Sequence, residues 1–170
     1  MASLSTQRAS SSSSSTPQWR YEAFLSFYGK DTRNNFTDHL HAVLTKKGII
    51  VFRDDEKLER GKYIPDELLK AIQESMYAIV VISENYAFSK WCLIELARIV
   101  KCMKDTRTRL TVLPIFYHVD PSHVGKQTGS FAEAFASHEK DPKVDIKMMQ
   151  KWRAALRKVG KISGWHVHDT

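Results

Sequence analysis

Five short apolar runs, YEAFLSF, IIVFRDD, YAIVVIS, LTVLPIFY and WHV, recur between stretches of helical periodicity. This alternation constrains the fold more than any other feature of the chain. After the first run, FTDHLHAVLTKKG sets Phe36, Leu40, Val43 and Leu44 at helical spacing and closes on lysines and Gly48. After the second comes PDELLKAIQES, with Pro65 suited to a first helical turn. After the third comes SKWCLIELARIV, with Ser89 as its expected N-cap. GSFAEAFASHEK and VDIKMMQKWRAALRKVGKI follow the fourth. Strands separated by helices predict right-handed βαβ units and a parallel sheet. The expected architecture is therefore α/β: a flavodoxin-like, doubly wound, five-stranded parallel sheet with helices on both faces. In such sheets ligands bind outside the carboxyl ends of the strands. Attention thus falls on four segments read as loops: YGKDTRNN, DDEKLERGKYI, SENYAFSKWC and HVDPSHVGKQTG.

The 170 residues suit one domain, and a 42% hydrophobic fraction suffices for its core. Residues 1–19 are Ser-rich and acid-free, and read as a disordered leader before a domain over 20–170. The end at Thr170, soon after the last run, suggests a piece of a longer protein or a short standalone form. Twenty-six basic against nineteen acidic residues give a net charge of +7. That balance favours anionic partners without selecting among nucleotides, nucleic acid and acidic surfaces. No segment approaches the roughly 18 apolar residues of a membrane helix. Cys92 and Cys102 fall on one expected helix, about 15 Å apart, too far for a disulfide. A cytoplasmic protein is expected, with nuclear entry open and no membrane association.

The architecture hosts unrelated functions, so particular residues must decide. FYGKDTRNN is a poor flavin phosphate loop, VVISEN lacks a receiver aspartate, and no GxGxxG is present. Asp54, Asp55 and Glu56 read as a solvated loop rather than a metal site, and His166, His168 and Asp169 as a terminal cluster. No metal and no tightly bound cofactor are expected. In the motif helix, Cys92, Leu96, Ile99 and Met103 make the buried stripe, with Trp91, Glu95 and Cys102 beside it. Trp91 and Glu95, four residues apart, face the same way at the strand-end mouth. Spacing alone leaves two readings: a site for a ligand, or an ordinary pairing of Glu95 with Arg98 or a loop cation.

YEAFLSFYGKDTRNNFTDHL, GIIVFRDDEKLERGKYIPDELLKAIQES, VVISENYAFSKWCLIELARIV, LPIFYHVDPSHVGKQTGSFAEAF and ISGW together resemble the plant TIR domains at the N-termini of intracellular immune receptors. The resemblance runs from about Tyr21 to Trp165. It implies the same fold, and cleavage of the N-glycosidic bond of NAD+ or NADP+ as substrate, with nicotinamide and ADP-ribose-type signalling nucleotides as products. It also implies Glu95 of W-C-x-x-E-L as the catalytic residue. The implied substrate-binding residues are Phe27, Tyr28, Gly29, Lys30, Asp31, Thr32 and Arg33, with Gly61 and Ile64 of a covering loop over Asp54 to Ile64. Trp91 is expected to stack on a base or on nicotinamide. One departure stands out: Tyr28 occupies the place of a family arginine, losing the charge and its bidentate fork. The resemblance further implies self-association with other TIR domains through surfaces around Asp38, His39 and Gly129. A catalytically silent adaptor acting by TIR–TIR contacts is the alternative. The last helix carries Lys147, Lys151, Lys158 and Lys161 on one face, a solvated stripe with weak nucleic-acid binding as a lesser expectation.

Overall fold

A computed structural model describes residues 19–53 and 66–168. Residues 1–18 of the leader, the segment Asp54 to Pro65 with Gly61 and Ile64, and Asp169 lie outside the described residues. Five parallel strands run in the order β2-β1-β3-β4-β5: β1 (Tyr21–Phe27), β2 (Val51–Arg53), β3 (Ser75–Ile82), β4 (Thr111–Tyr117) and β5 (Trp165–Val167). The expected doubly wound sheet is present. β1 is flanked by β2 and β3, so the chain reverses direction across the sheet at β1 and β3. The topological switch point lies between their carboxyl ends.

Alternation along the strands decides what each face receives. Ala23, Leu25, Phe27, Ile79 and Val81 form one cluster, with Phe36, Leu40 and Leu44 packed on it. Leu40 and Leu44 come from α2 (Asp38–Lys46). Phe24, Ala78, Val80, Ile82, Val112 and Phe116 belong to the larger cluster on the other face. That face carries α3 (Asp66–Gln73), α4 (Lys90–Lys104), α6 (Ser130–Glu139) and α7 (Ile146–Gly160). Val43, expected inside, is 38% exposed. It falls one position off the stripe that Phe36, Leu40 and Leu44 define. Met103, expected in the buried stripe of α4, is only partly buried. In α7, Met149 is buried beside Trp152, Leu156 and Val159, and Met148 is partly buried.

Two segments read as loops are helical. Residues GKDT form α1 (Gly29–Thr32), which continues through a π-helical turn, Arg33–Thr37, into α2. Polarity suggested a loop, but no residue from Lys30 to Thr37 is a helix breaker. The buried hydroxyls of Thr32 and Thr37 satisfy each other at 2.6 Å, so the polar residues can turn inward. HVDPSHVGKQTG contains α5 (Pro121–Lys126). Asp120 caps it, accepting from the Ser122 amide at 2.9 Å, and Pro121 opens its first turn. SENYAFS holds a short 3-10 turn, Tyr86–Phe88. Ser89 caps α4 as expected, accepting from the Cys92 amide at 3.1 Å. Both cysteines lie in α4, buried as free thiols.

Candidate functional site

The carboxyl end of β1 delivers two residues to opposite faces of the sheet. Phe27 turns toward the α2 side and joins its core. Ser26 turns the other way, toward α4, and is fully buried. Its hydroxyl donates to Glu95 Oε1 at 2.7 Å. Glu95, expected beside the buried stripe, is itself fully buried. The α4 backbone carries it inward beside Cys92, Leu96 and Ile99 because a helix stripe about 100° wide faces the core. Its Oε2 accepts the indole N–H of Trp91, one helical turn earlier, at 3.1 Å.

A third member extends the network. The Tyr86 hydroxyl lies 2.8 Å from Ser26 Oγ and 3.3 Å from the Cys92 carbonyl. Ser26 has one proton and gives it to Glu95, so Tyr86 is the donor in the shorter contact. The chain of donors runs Tyr86 to Ser26 to Glu95, each polarising the next. Complete burial raises the Tyr86 phenol well above its ordinary pKa, with Cys92 and Glu95 adding to the rise. It stays neutral and remains a donor. Two oxygens of Glu95 are thus held by groups from β1 and from α4 itself, at the switch point of the sheet. Sequence reading did not single out Ser26 or Tyr86. The signal available was two hydroxyls next to motif residues, but their convergence spans 60 positions of chain.

The first motif segment packs around this point from the strand end. Asp31 accepts from Ser83 Oγ at 2.6 Å, from the Asn85 amide at 2.9 Å and from Asn85 Nδ2 at 3.0 Å. Its carboxylate ties α1 to the turn after β3, across the switch point. The Arg33 guanidinium sits over the Phe27 ring, 5.0 Å from the centroid. A Cβ at position 29 would come within 2.8 Å of that guanidinium, so Gly29 clears the space in which Arg33 lies. The Tyr28 side chain packs, partly buried, on the larger core. Burial raises its phenol pKa first, and the nearby Asp31 and Cys92 raise it further.

A family model described as the TIR domain matches residues 20–170. The chain belongs to the TIR family. Disease resistance protein RPV1 of Vitis rotundifolia is 56% identical over 172 residues, covering 99% of this chain and 12% of that protein. TMV resistance protein N of Nicotiana glutinosa is 56% identical over 153 residues, covering 90% of this chain and 13% of that protein. This TIR domain therefore corresponds to a small part of the length of such relatives. Among solved structures, the TIR domains of the activated Roq1 resistosome, which directly recognizes the pathogen effector XopQ, match with a TM-score of 0.78 at 49% identity. The match covers 86% of this chain and 87% of that one.

Within this TIR domain the expected site residues separate into groups. Glu95 and Trp91 come together with Ser26. Trp91 is bound through its N–H to Glu95, a positioning contact that its expected stacking role did not include. Tyr28 packs on the larger core, Gly29 stands against Arg33, and Lys30 is exposed. The side chains of three expected substrate contacts engage the protein itself. The Phe27 ring is fully buried, because strand alternation turns it into the α2-side core. The Thr32 side chain is 1% exposed and paired with Thr37. The Asp31 carboxylate holds three internal donors. Arg33, stacked on Phe27, stands on the face of the sheet away from Ser26. Of the expected association residues, Asp38 is ion-paired with Arg53 and His39 is exposed. Gly129 opens α6 with φ +62°, ψ −130°, a conformation only glycine adopts without strain. Among the described residues no group of three or more His, Cys, Asp or Glu could hold a metal ion. No described helix is long and apolar enough to cross a membrane.

Proposed function

We propose that this TIR domain cleaves the N-glycosidic bond of NAD+ or NADP+, with Glu95 as the catalytic residue, in a cytoplasmic immune receptor. The observation that carries this reading is a fully buried carboxylate, oriented by Ser26 and Trp91, at the switch point of a doubly wound sheet. A buried acid held by hydrogen bonds from two elements is preorganised, and preorganised charge acts most strongly where water is excluded.

The chemistry asks little else of the protein. Nicotinamide departs as a neutral molecule from a cationic ring, so no general acid is required. Positive charge develops on the ribose as the bond lengthens, giving an oxocarbenium-like cation. A carboxylate against the ribose lowers the energy of that cation, and water or a substrate hydroxyl then captures it. Trp91 and Ser26, each bonded to one oxygen of Glu95, hold its side chain in one rotamer while charge builds. Lys30, exposed beside the strand end, suits the pyrophosphate.

Full burial carries a corollary. The substrate ribose reaches Glu95 only when the groups covering it are displaced. A resting, closed domain of this kind fits activation by self-association with other TIR domains, through the faces bearing Asp38, His39 and Gly129. The relative described as an activated resistosome supports the assembly part of this reading by analogy. A second reading, a silent adaptor, draws on Tyr28: a neutral phenol replaces the guanidinium that would clasp the nucleotide.

The test is nicotinamide release from NAD+ and, in parallel, NADP+ by the concentrated domain, beside Glu95→Gln. Release by the wild type, abolished in a folded Glu95→Gln, supports the enzyme. No release at any protein concentration leaves the adaptor, and release regained in Tyr28→Arg then identifies that position as the cause.

A further inference from the structure

Helix α4 carries a second feature, on the part of its surface turned away from Glu95. A groove of about 570 Å³ runs between its C-terminal half and α7, with α3 at one side. Its floor is apolar: Leu69, Ile94, Ala97, Met148 and Trp152. Its rim is cationic: Arg98, Lys101 and Lys104 from α4, and Lys151 from α7. No carboxylate is among the described residues that line it. The basic stripe read along α7 is thereby divided. Lys151 belongs to this groove, whereas Lys161 lines a different depression with Lys126 and Arg157.

We propose that this groove is a docking site for an acidic amphipathic helix of a partner protein. The volume falls in the roughly 300–1,000 Å³ of pockets that hold ligands. Helix-in-groove recognition needs an apolar trough for side chains at i, i+3, i+4 and i+7, and charges of one sign on its banks. The alanines Ala97, Ala154 and Ala155 supply the hollow between the helices. Four cations without a lining acid specify glutamates and aspartates on the flanks of the incoming helix.

The shape selects this occupant over others. A lipid surface is flat and takes up apolar groups that protrude. The large exposed hydrophobics of the described chain are Trp19, Val43, Ile50, Tyr77, Ile146 and Trp165, and none lines the groove. Single-stranded nucleic acid binds by stacking bases on accessible aromatic faces. Trp152 is the one aromatic among the described lining residues, and it is 2% exposed. A second copy of the chain brings a net charge of +7, whereas the four lining cations call for an acidic occupant.

The test uses the purified 170-residue chain, isotope-labelled, titrated with a synthetic helical peptide. The peptide has leucines at i, i+3, i+4 and i+7 and glutamates on both flanks. Amide shift changes are expected along the C-terminal half of α4 and along α7. Affinity should fall at least about tenfold, or about 1.4 kcal/mol, in Lys101→Glu/Lys104→Glu and again in Ala97→Glu. The control Lys158→Glu/Lys161→Glu, away from the groove, should change affinity less than about twofold. The proposal is overturned if no shifts map to the groove, or if the control weakens binding as much as the groove variant. It is equally overturned if phosphatidylserine vesicles or an oligothymidylate bind through Lys101 and Lys104 more tightly than the peptide does.

Discussion

The two ends of α4 do opposite things with charge. At its N-terminal end an acid is buried completely, held by a serine from β1 and a tryptophan one turn back. At its C-terminal end bases remain in solvent around an apolar trough. The difference is in who satisfies the charge. Glu95 has its hydrogen bonds supplied by the fold, so its position is fixed before any ligand arrives. Lys101 and Lys104 have theirs supplied by water, so their side chains are free to meet a partner and cost little to change. Preorganisation belongs to the first end, and adaptability to the second.

Substitutions at the first end should therefore produce the larger effects. Glu95→Ala is expected to reduce nicotinamide release by about 10²–10³ or more. It should also destabilise the fold, because the Ser26 hydroxyl and the Trp91 N–H lose their acceptor. Glu95→Gln separates the two consequences: it keeps an acceptor, melts near the wild-type temperature and still fails to turn over. A Gln variant as active as the wild type breaks the comparison. Next comes Ser26→Ala, which removes one of the donors to Glu95 and the acceptor of Tyr86. Thermal or chemical unfolding should show a loss of about 1–3 kcal/mol, with activity reduced more than tenfold at unchanged KM. Trp91→Phe keeps most of the ring and removes only the N–H. A loss of about 1 kcal/mol and a smaller drop in kcat are expected; a rise in KM alone would favour stacking on substrate instead.

A further measurement sharpens the contrast through pH. His138 is buried, with Nε2 2.8 Å from the Ala87 carbonyl and Trp152 edge-on at 5.3 Å. Burial lowers its pKa from 6.5, opposed by the Ala87 contact and reinforced by Lys90. The unfolded chain therefore takes up a proton near pH 6.5 before the folded one does. Stability is full above that pH, falls as pH drops from about 6.5 toward the lower folded value, and then levels. In His138→Gln this part of the slope should vanish from the melting temperature plotted against pH. Last and smallest, Lys101→Glu/Lys104→Glu should shift stability by less than about 0.5 kcal/mol. A larger loss means these lysines are tied into the fold, and the contrast between the helix ends disappears.

Much of the layout was legible because strand and helix periods are local. YEAFLSF, YAIVVIS, LTVLPIFY and WHV became β1, β3, β4 and β5, and Ser89 capped α4, all from residues within a few positions of one another. GKDT and DPSHVGK are helical although their polarity reads as a loop signal. In DPS the cap and the N1 proline were present, and their weight was missed. In GKDTRNNFT the helix depends on two threonines meeting inside, which no local pattern announces. The covering loop with Gly61 and Ile64 lies outside the described residues.

At the site the division is similar. The sequence by itself determined that Trp91 and Glu95 share a helix face, since that needs only the helical repeat. It also determined that this helix begins at the carboxyl edge of a parallel sheet. Only the tertiary structure decided that Glu95 is fully buried, that Ser26, backed by Tyr86, holds one of its oxygens, and that Asp31 clasps Ser83 and Asn85. Those contacts join residues 52 to 69 positions apart. They form because strand pairing places the ends of β1 and β3 side by side beneath α4, a long-range result that no periodicity encodes.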